Sequence, residues 1–182
     1  MNFKIINSSL QNCFLIEFNQ LNDQRGYFTK TFHVDMFKEM GISMNIKEEY
    51  FTFSLKNVFR GLHFQLPPKD IDKLVFCLSG QVIDYVVDIR KGSPTFGKYD
   101  VFELNGNCPK AVFVPKGFAH GFYVVSENAL MQYKVSDVFD KDCDYGISYK
   151  SFDFAKDIVN PILSDRDYKF ITLNEFDSPF KF

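Results

Sequence analysis

The alternation of apolar and polar positions along this chain is that of strands. Residues 14–18, 73–78, 81–89, 111–114 and 121–125 form short runs rich in β-branched and aromatic side chains, the pattern of buried or half-buried strands. Gly92-Ser93-Pro94, Asn105-Gly106-Asn107 and Pro115-Lys116-Gly117 break them at short intervals with turn-forming residues. Ser79-Gly80, between two apolar runs, predicts a tight hairpin. One short helix is predicted over residues 33–40, ending at Gly41. From about Phe152 the pattern is less regular, and Asp165, Arg166 and Asp167 read as an exposed charge cluster. No repeat, linker or low-complexity stretch divides the chain. The expectation is one all-β domain over residues 1–182, a jelly roll or barrel with few short helices.

Composition narrows the partners. The chain has 23 Phe and no Trp, flat side chains that suit a β-rich core or a cleft stacking a planar ligand. A net charge of -2 gives no global attraction to nucleic acid or anionic membrane, so neither partner is expected and any phosphate binding must be local. No apolar run approaches the roughly 20 residues of a membrane span, and no secretory signal is evident, so a cytoplasmic protein is expected. Cys13, Cys77, Cys108 and Cys143 lack CxxC spacing, which points to reduced thiols rather than a zinc site or disulfides.

Histidine is rare, so its placement is informative. His33 lies in the predicted helix and reads as structural or surface. His63 lies in Arg60-Gly61-Leu62-His63-Phe64-Gln65 and His120 in Pro115-Lys116-Gly117-Phe118-Ala119-His120-Gly121-Phe122. Each stands near a glycine, which lets backbone approach a ligand closely. The two segments, with Gly80 between them, resemble the two-motif pattern of the cupin superfamily, whose site lies inside a jelly-roll barrel. Metal-binding cupins offer His-x-His in the first motif; His63-Phe64-Gln65 offers one imidazole, too few for a transition metal. A site without metal or other cofactor is expected, with His63 as a general base. Its ordinary pKa of about 6.5 suits removal of a proton α to a ketone. Lys73 is a candidate to stabilise the resulting enolate, although a solvated strand-end lysine is the plainer reading.

Five blocks then occur in order: Asp23-Gln24-Arg25-Gly26-Tyr27-Phe28, the Arg60 and Pro115 segments already quoted, the run from Asp84 to Gly97 between them, and Tyr133-Lys134. Together they resemble the dTDP-4-dehydrorhamnose 3,5-epimerase family. That resemblance implies a cofactor-free cupin homodimer whose N-terminal strand is exchanged between subunits. It implies His63 as the base, Asp167 as the carboxylate that orients it, and Tyr133 as the acid on the opposite face of the sugar ring. Lys73 would sit near the 4-keto oxygen, with Asp84 supporting it. Arg25, Arg60 and His120 would contact the diphosphate, and Phe28 and Gln65 would also touch substrate. The product would feed surface polysaccharide synthesis, capsule or lipopolysaccharide.

The departures from that family gather at one end of the expected ligand. Glu48-Glu49-Tyr50 stands where dTDP-type members carry Gln-Asp-Asn, Lys30 where they carry Glu, and Val138-Phe139 where paired tyrosines are frequent. Lys30, Glu48 and Tyr50 are expected to line the nucleobase pocket. Because Glu48 could accept two hydrogen bonds from guanine, GDP is favoured over dTDP, on a 4-keto heptose or 6-deoxyhexose. Inversion at C3 and C5 is favoured over C3 alone. The competing readings are a 3,4-ketoisomerase of the same fold and a non-catalytic sugar-binding cupin.

Overall fold

The computed structural model describes residues 3–182. In chain order its strands are β1 (Lys4–Asn7), β2 (Phe14–Glu17), β3 (Gln20–Asp23), β4 (Gly26–Thr29), β5 (Glu48–Leu55), β6 (Phe59–Gln65), β7 (Lys73–Ser79), β8 (Gln81–Asp88), β9 (Tyr99–Asn105), β10 (Lys110–Val114), β11 (Phe118–Val124), β12 (Asn128–Val135) and β13 (Asp144–Gly146). One sheet has the order β1-β2-β10-β7-β12-β5, the facing sheet β13-β6-β11-β8-β9, and β3-β4 forms a two-stranded ribbon of its own. This is the cupin jelly roll that the short-strand pattern predicts, with two short helices, α1 (Val34–Glu39) and α2 (Asp165–Tyr168). No helix among the described residues is long and apolar enough to cross a membrane.

Three apolar layers explain why several strands read as continuous hydrophobic runs. Val75, Val86, Val112, Phe122 and Met131 fill the space between the sheets. Leu74, Phe76 and Phe113, on the outer face of the six-stranded sheet, are covered by Phe37 of α1 and by Ile42 and Met44. Leu62, Phe64, Tyr85 and Val87, on the outer face of the other sheet, are covered by Phe152, Phe154, Ile158 and Phe180 of the C-terminal segment. Strands buried on both faces lose the polar alternation of a half-exposed sheet.

The helix expected over residues 33–40 forms as α1 and stops where the glycine predicts. Gly41 adopts φ +80, its N–H donates to Lys38 O at 2.9 Å, and the Ile42 N–H donates to Phe37 O at 2.8 Å, the paired bonds of a Schellman cap. The hairpin expected at Ser79-Gly80 does not form. The chain does turn there, with Gly80 at φ +81, but β7 belongs to one sheet and β8 to the other. Turn chemistry marks where a chain reverses. The partners on either side of β7 (β10 and β12) and of β8 (β11 and β9) decide which sheet each strand joins.

Candidate active site

Arg60 and His63 lie three residues apart on β6, a spacing that strand periodicity sends to opposite faces. Here β6 carries one extra residue against β11: His63 pairs with His120, while Arg60 pairs with Phe122. This bulge brings both side chains to the wall of one cavity. It depends on two glycines in contact. A Cβ on Gly61 (φ +142) would lie 2.6 Å from the Gly121 Cα, and one on Gly121 would lie 2.7 Å from the Arg60 carbonyl oxygen. The glycines beside the two histidines thus admit each other's backbone, where close approach to a ligand is the sequence expectation.

His63, Lys73, His120 and Tyr133, together with Glu48, Tyr50, Arg60 and Gln65, line a cavity of about 360 Å³ between the sheets. Behind His63, Asp167 is buried rather than part of an exposed charge cluster. Its Oδ1 lies 2.8 Å from His63 Nε2, and its Oδ2 accepts the Gly61 N–H at 3.2 Å. Ser164 caps α2 by accepting the Asp167 N–H at 3.0 Å, which places this carboxylate on the first turn of the helix. Burial lowers the His63 pKa below its ordinary value, outweighing the upward pull of Asp167. Burial pushes Asp167 up, but the His63, Gly61 and Ser164 hydrogen bonds bring it below the usual carboxylate range. Near neutral pH the pair is therefore imidazole and carboxylate. With Nε2–H donated to Asp167, Nδ1 is the nitrogen free to take a proton.

Lys73 is buried and donates from Nζ to the His63 carbonyl oxygen at 2.9 Å. Burial lowers its pKa to about 8, so it is still cationic at neutral pH, with further N–H groups to offer a ligand. Asp84, wholly buried, holds His120 Nε2 at 2.8 Å. Burial raises the Asp84 pKa, against the pull of His120 and Lys73, and its Oδ1 has no hydrogen-bond partner. Tyr133 is 6% exposed. Burial pushes its phenol well above the ordinary tyrosine value, so the hydroxyl stays protonated near neutral pH, as a weaker acid than a free phenol. Among the described residues no group of three or more His, Cys, Asp or Glu side chains is arranged to hold a metal ion.

The sequence model for dTDP-4-dehydrorhamnose 3,5-epimerase matches residues 7–175. The chain belongs to that family. A Shigella flexneri dTDP-4-dehydrorhamnose 3,5-epimerase is 37% identical over 178 residues, 94% of this chain and 98% of its own. A Streptomyces niveus dTDP-4-dehydrorhamnose 3-epimerase is 35% identical, over 86% of this chain and 77% of its own. The crystal structure of a Legionella pneumophila dTDP-6-deoxy-D-glucose-3,5-epimerase, in complex with dTDP-4-keto-L-rhamnose, superposes with a TM-score of 0.91 at 36% identity. It covers 97% of this chain and 95% of the Legionella chain. The protein is an isomerase acting as a nucleotide-sugar epimerase.

Not every residue singled out in the epimerase sequence reaches the cavity wall. Arg25 and Phe28 are exposed on the β3-β4 ribbon, and Lys30 directly follows it; none of the three lines the cavity. The Arg25 guanidinium closes on Asp23 at the ribbon's tip, with Nη2 2.5 Å from Oδ2. Gln65 reaches the cavity with its amide engaged by backbone: Nε2 donates to Lys69 O at 2.7 Å and Oε1 accepts the Asp140 N–H at 2.7 Å. Arg60 donates from Nε to Ser54 Oγ at 2.9 Å. Glu48 Oε2 accepts the Phe139 N–H at 2.7 Å, while Glu49 bonds Lys134 and Gln132 and is not part of the cavity wall.

Arg166 and Asp144 are among the lining residues of the epimerase that sequence reasoning does not single out. They form a two-pronged pair, Nη1 to Oδ2 at 2.6 Å and Nη2 to Oδ1 at 3.0 Å, at the wall beside His63. The pair ties α2, which bears Asp167, to β13. Nothing in the local pattern marks it, because the partners lie 22 residues apart on two different elements.

Proposed function

We propose that this epimerase takes a nucleoside-diphosphate-linked 4-keto-6-deoxy sugar and inverts C3 and C5 through an enolate. The observation that carries the reading is a carboxylate-backed imidazole and a protonated, buried phenol on the wall of one cavity, with the Lys73 ammonium bonded to the backbone of the imidazole residue. His63 removes the proton α to the ketone, Lys73 stabilises charge on the keto oxygen, and Tyr133 returns a proton to the opposite face. Asp167 holds the imidazole tautomer and stabilises the imidazolium. Arg60 and His120 take the diphosphate. No cofactor enters these steps, because the adjacent carbonyl already makes the carbon acidic.

For the nucleotide, the names of the relatives support dTDP rather than GDP. The case for GDP rests on Glu48 accepting two guanine donors, and one oxygen of that carboxylate is already engaged by the Phe139 N–H. Deoxythymidine diphosphate is therefore the nucleotide proposed, and a 6-deoxyhexose is preferred to a heptose.

The active unit in this reading is a homodimer. Phe51, Phe53 and Leu55 stand exposed on the edge strand β5, an apolar row that a second copy would cover. The β3-β4 ribbon, hydrogen-bonded to neither large sheet, would carry Arg25 and Phe28 to the partner's cavity. The location proposed is cytoplasmic, in the supply of surface-polysaccharide precursors.

Incubation with dTDP- and GDP-linked 4-keto-6-deoxy sugars in deuterated water, followed by NMR, tests the proposal. Label at C3 and C5, faster with dTDP, is expected. Label at C3 alone overturns the double inversion, a faster reaction with GDP overturns the nucleotide, and no label with either overturns the function.

A further inference from the structure

Tyr50 and Tyr133 are direct cross-strand partners in the β5-β12 pairing. Their rings stack at 4.8 Å between centroids and 15° between planes. On Tyr133 the His120 ring adds an edge contact at 6.2 Å and 73°. The two aromatic contacts restrain both swing and rotation of the Tyr133 ring. Tyr133 is almost wholly buried, whereas Tyr50 is 39% exposed. The lysine and glutamate side chains nearest in sequence leave this stack alone: Glu49 turns to Lys134, and Glu48 is tied to the Phe139 N–H.

We propose that Tyr50 is a positioning residue for Tyr133: its ring, stacked on the phenol, aims the proton donor at the face of the sugar opposite His63. This rests on the epimerase reading above and deepens it. The ring, not the hydroxyl, carries the role, since stacking is a property of the aromatic face. A side chain placed for nucleobase binding alone would act on substrate affinity. A side chain that aims the acid acts on turnover, and on inversion more than on proton removal, which belongs to His63.

The test compares the wild type with Tyr50→Leu, Tyr50→Asn and Tyr50→Phe, using the dTDP-linked 4-keto sugar in deuterated water. Leucine keeps bulk on the strand, so loss of fold in the asparagine variant leaves a readable protein. In the leucine variant kcat for inversion is expected to fall about tenfold, the scale of one stacked aromatic pair. KM is expected to stay within about twofold, and deuterium exchange without inversion to rise relative to product. Tyr50→Phe is expected to rescue kcat. Unchanged kcat in Tyr50→Leu overturns the inference, as does a change confined to KM. A Tyr50→Phe variant as slow as the leucine variant also overturns it, by assigning the role to the hydroxyl. A wild type that incorporates no deuterium overturns the functional reading and this inference with it.

Discussion

His63 Nε2 stands 2.8 Å from Asp167 Oδ1 across 104 residues of chain, while the same carboxylate holds the backbone N–H of Gly61. Asp167 thus grips both the imidazole and the strand that bears it. The ring is oriented relative to its own backbone, which leaves Nδ1 preset for the role of base proposed for it.

Asp167→Asn leaves the shape of this contact but allows the wrong imidazole tautomer. By analogy with triads that lose their carboxylate, kcat is expected to fall by about 10³ to 10⁴ with little change in nucleotide affinity. His63→Asn is expected to abolish deuterium incorporation while calorimetry still registers nucleotide binding. Persistent incorporation would mean that another residue is the base.

Tyr133→Phe separates the two proton transfers. His63 can still remove the proton and return a solvent deuteron to the same face. Exchange is therefore expected to continue while epimeric product disappears. NMR of the recovered sugar decides this, and undiminished inversion would remove Tyr133 from the role of acid.

The pH profile of kcat/KM is expected to be bell-shaped. Because burial lowers the His63 pKa, the acid limb lies below the ordinary imidazole value of about 6.5; activity is lost as the pH falls through it and the base becomes protonated. Lys73, with its pKa lowered to about 8, loses its charge above that value, and the enolate loses its cation, which sets the basic limb. Exhaustive chelation is expected to leave the profile unchanged, and a rate restored only by added metal would contradict the cofactor-free chemistry.

Gly121→Ala tests the bulge that builds the site. The added Cβ would meet the Arg60 carbonyl oxygen at 2.7 Å and the Gly61 Cα at 3.0 Å, contacts that only backbone movement relieves. A loss of about 3 kcal/mol in stability is expected from denaturant unfolding, with activity falling as β6 and β11 separate. An alanine variant with wild-type stability would show that the strands can part without cost.

Phe51→Glu with Phe53→Glu places charge on the exposed row of β5. Sedimentation is expected to show a dimer for the wild type and a monomer for the variant, and the monomer is expected to lose substrate affinity together with the contribution of Arg25. A wild type that sediments as a monomer with full activity removes the need for a partner.

Much of this was legible in the chain. Strands β2, β7, β8, β10 and β11 followed from runs of β-branched and aromatic residues and the helix stop from Gly41; His63, Asp84, His120 and Tyr133 were singled out as candidates by the motif blocks, and Lys73 and Asp167 by what the family resemblance implies. Each of these depends on neighbours in sequence or on a residue's own chemistry. Folding alone decided the rest. Ser79-Gly80 marks a turn in either case, but competition among non-local partners put β7 and β8 in different sheets. The parity of β6 would turn Arg60 away from His63, and the extra residue at Gly61, set by pairing with β11, turns it back. Arg166 meets Asp144, and Tyr50 meets Tyr133, through registers that no local pattern encodes. Sequence specifies which groups are present and where the chain bends; the free energy of long-range pairing and burial selects which of them face one another.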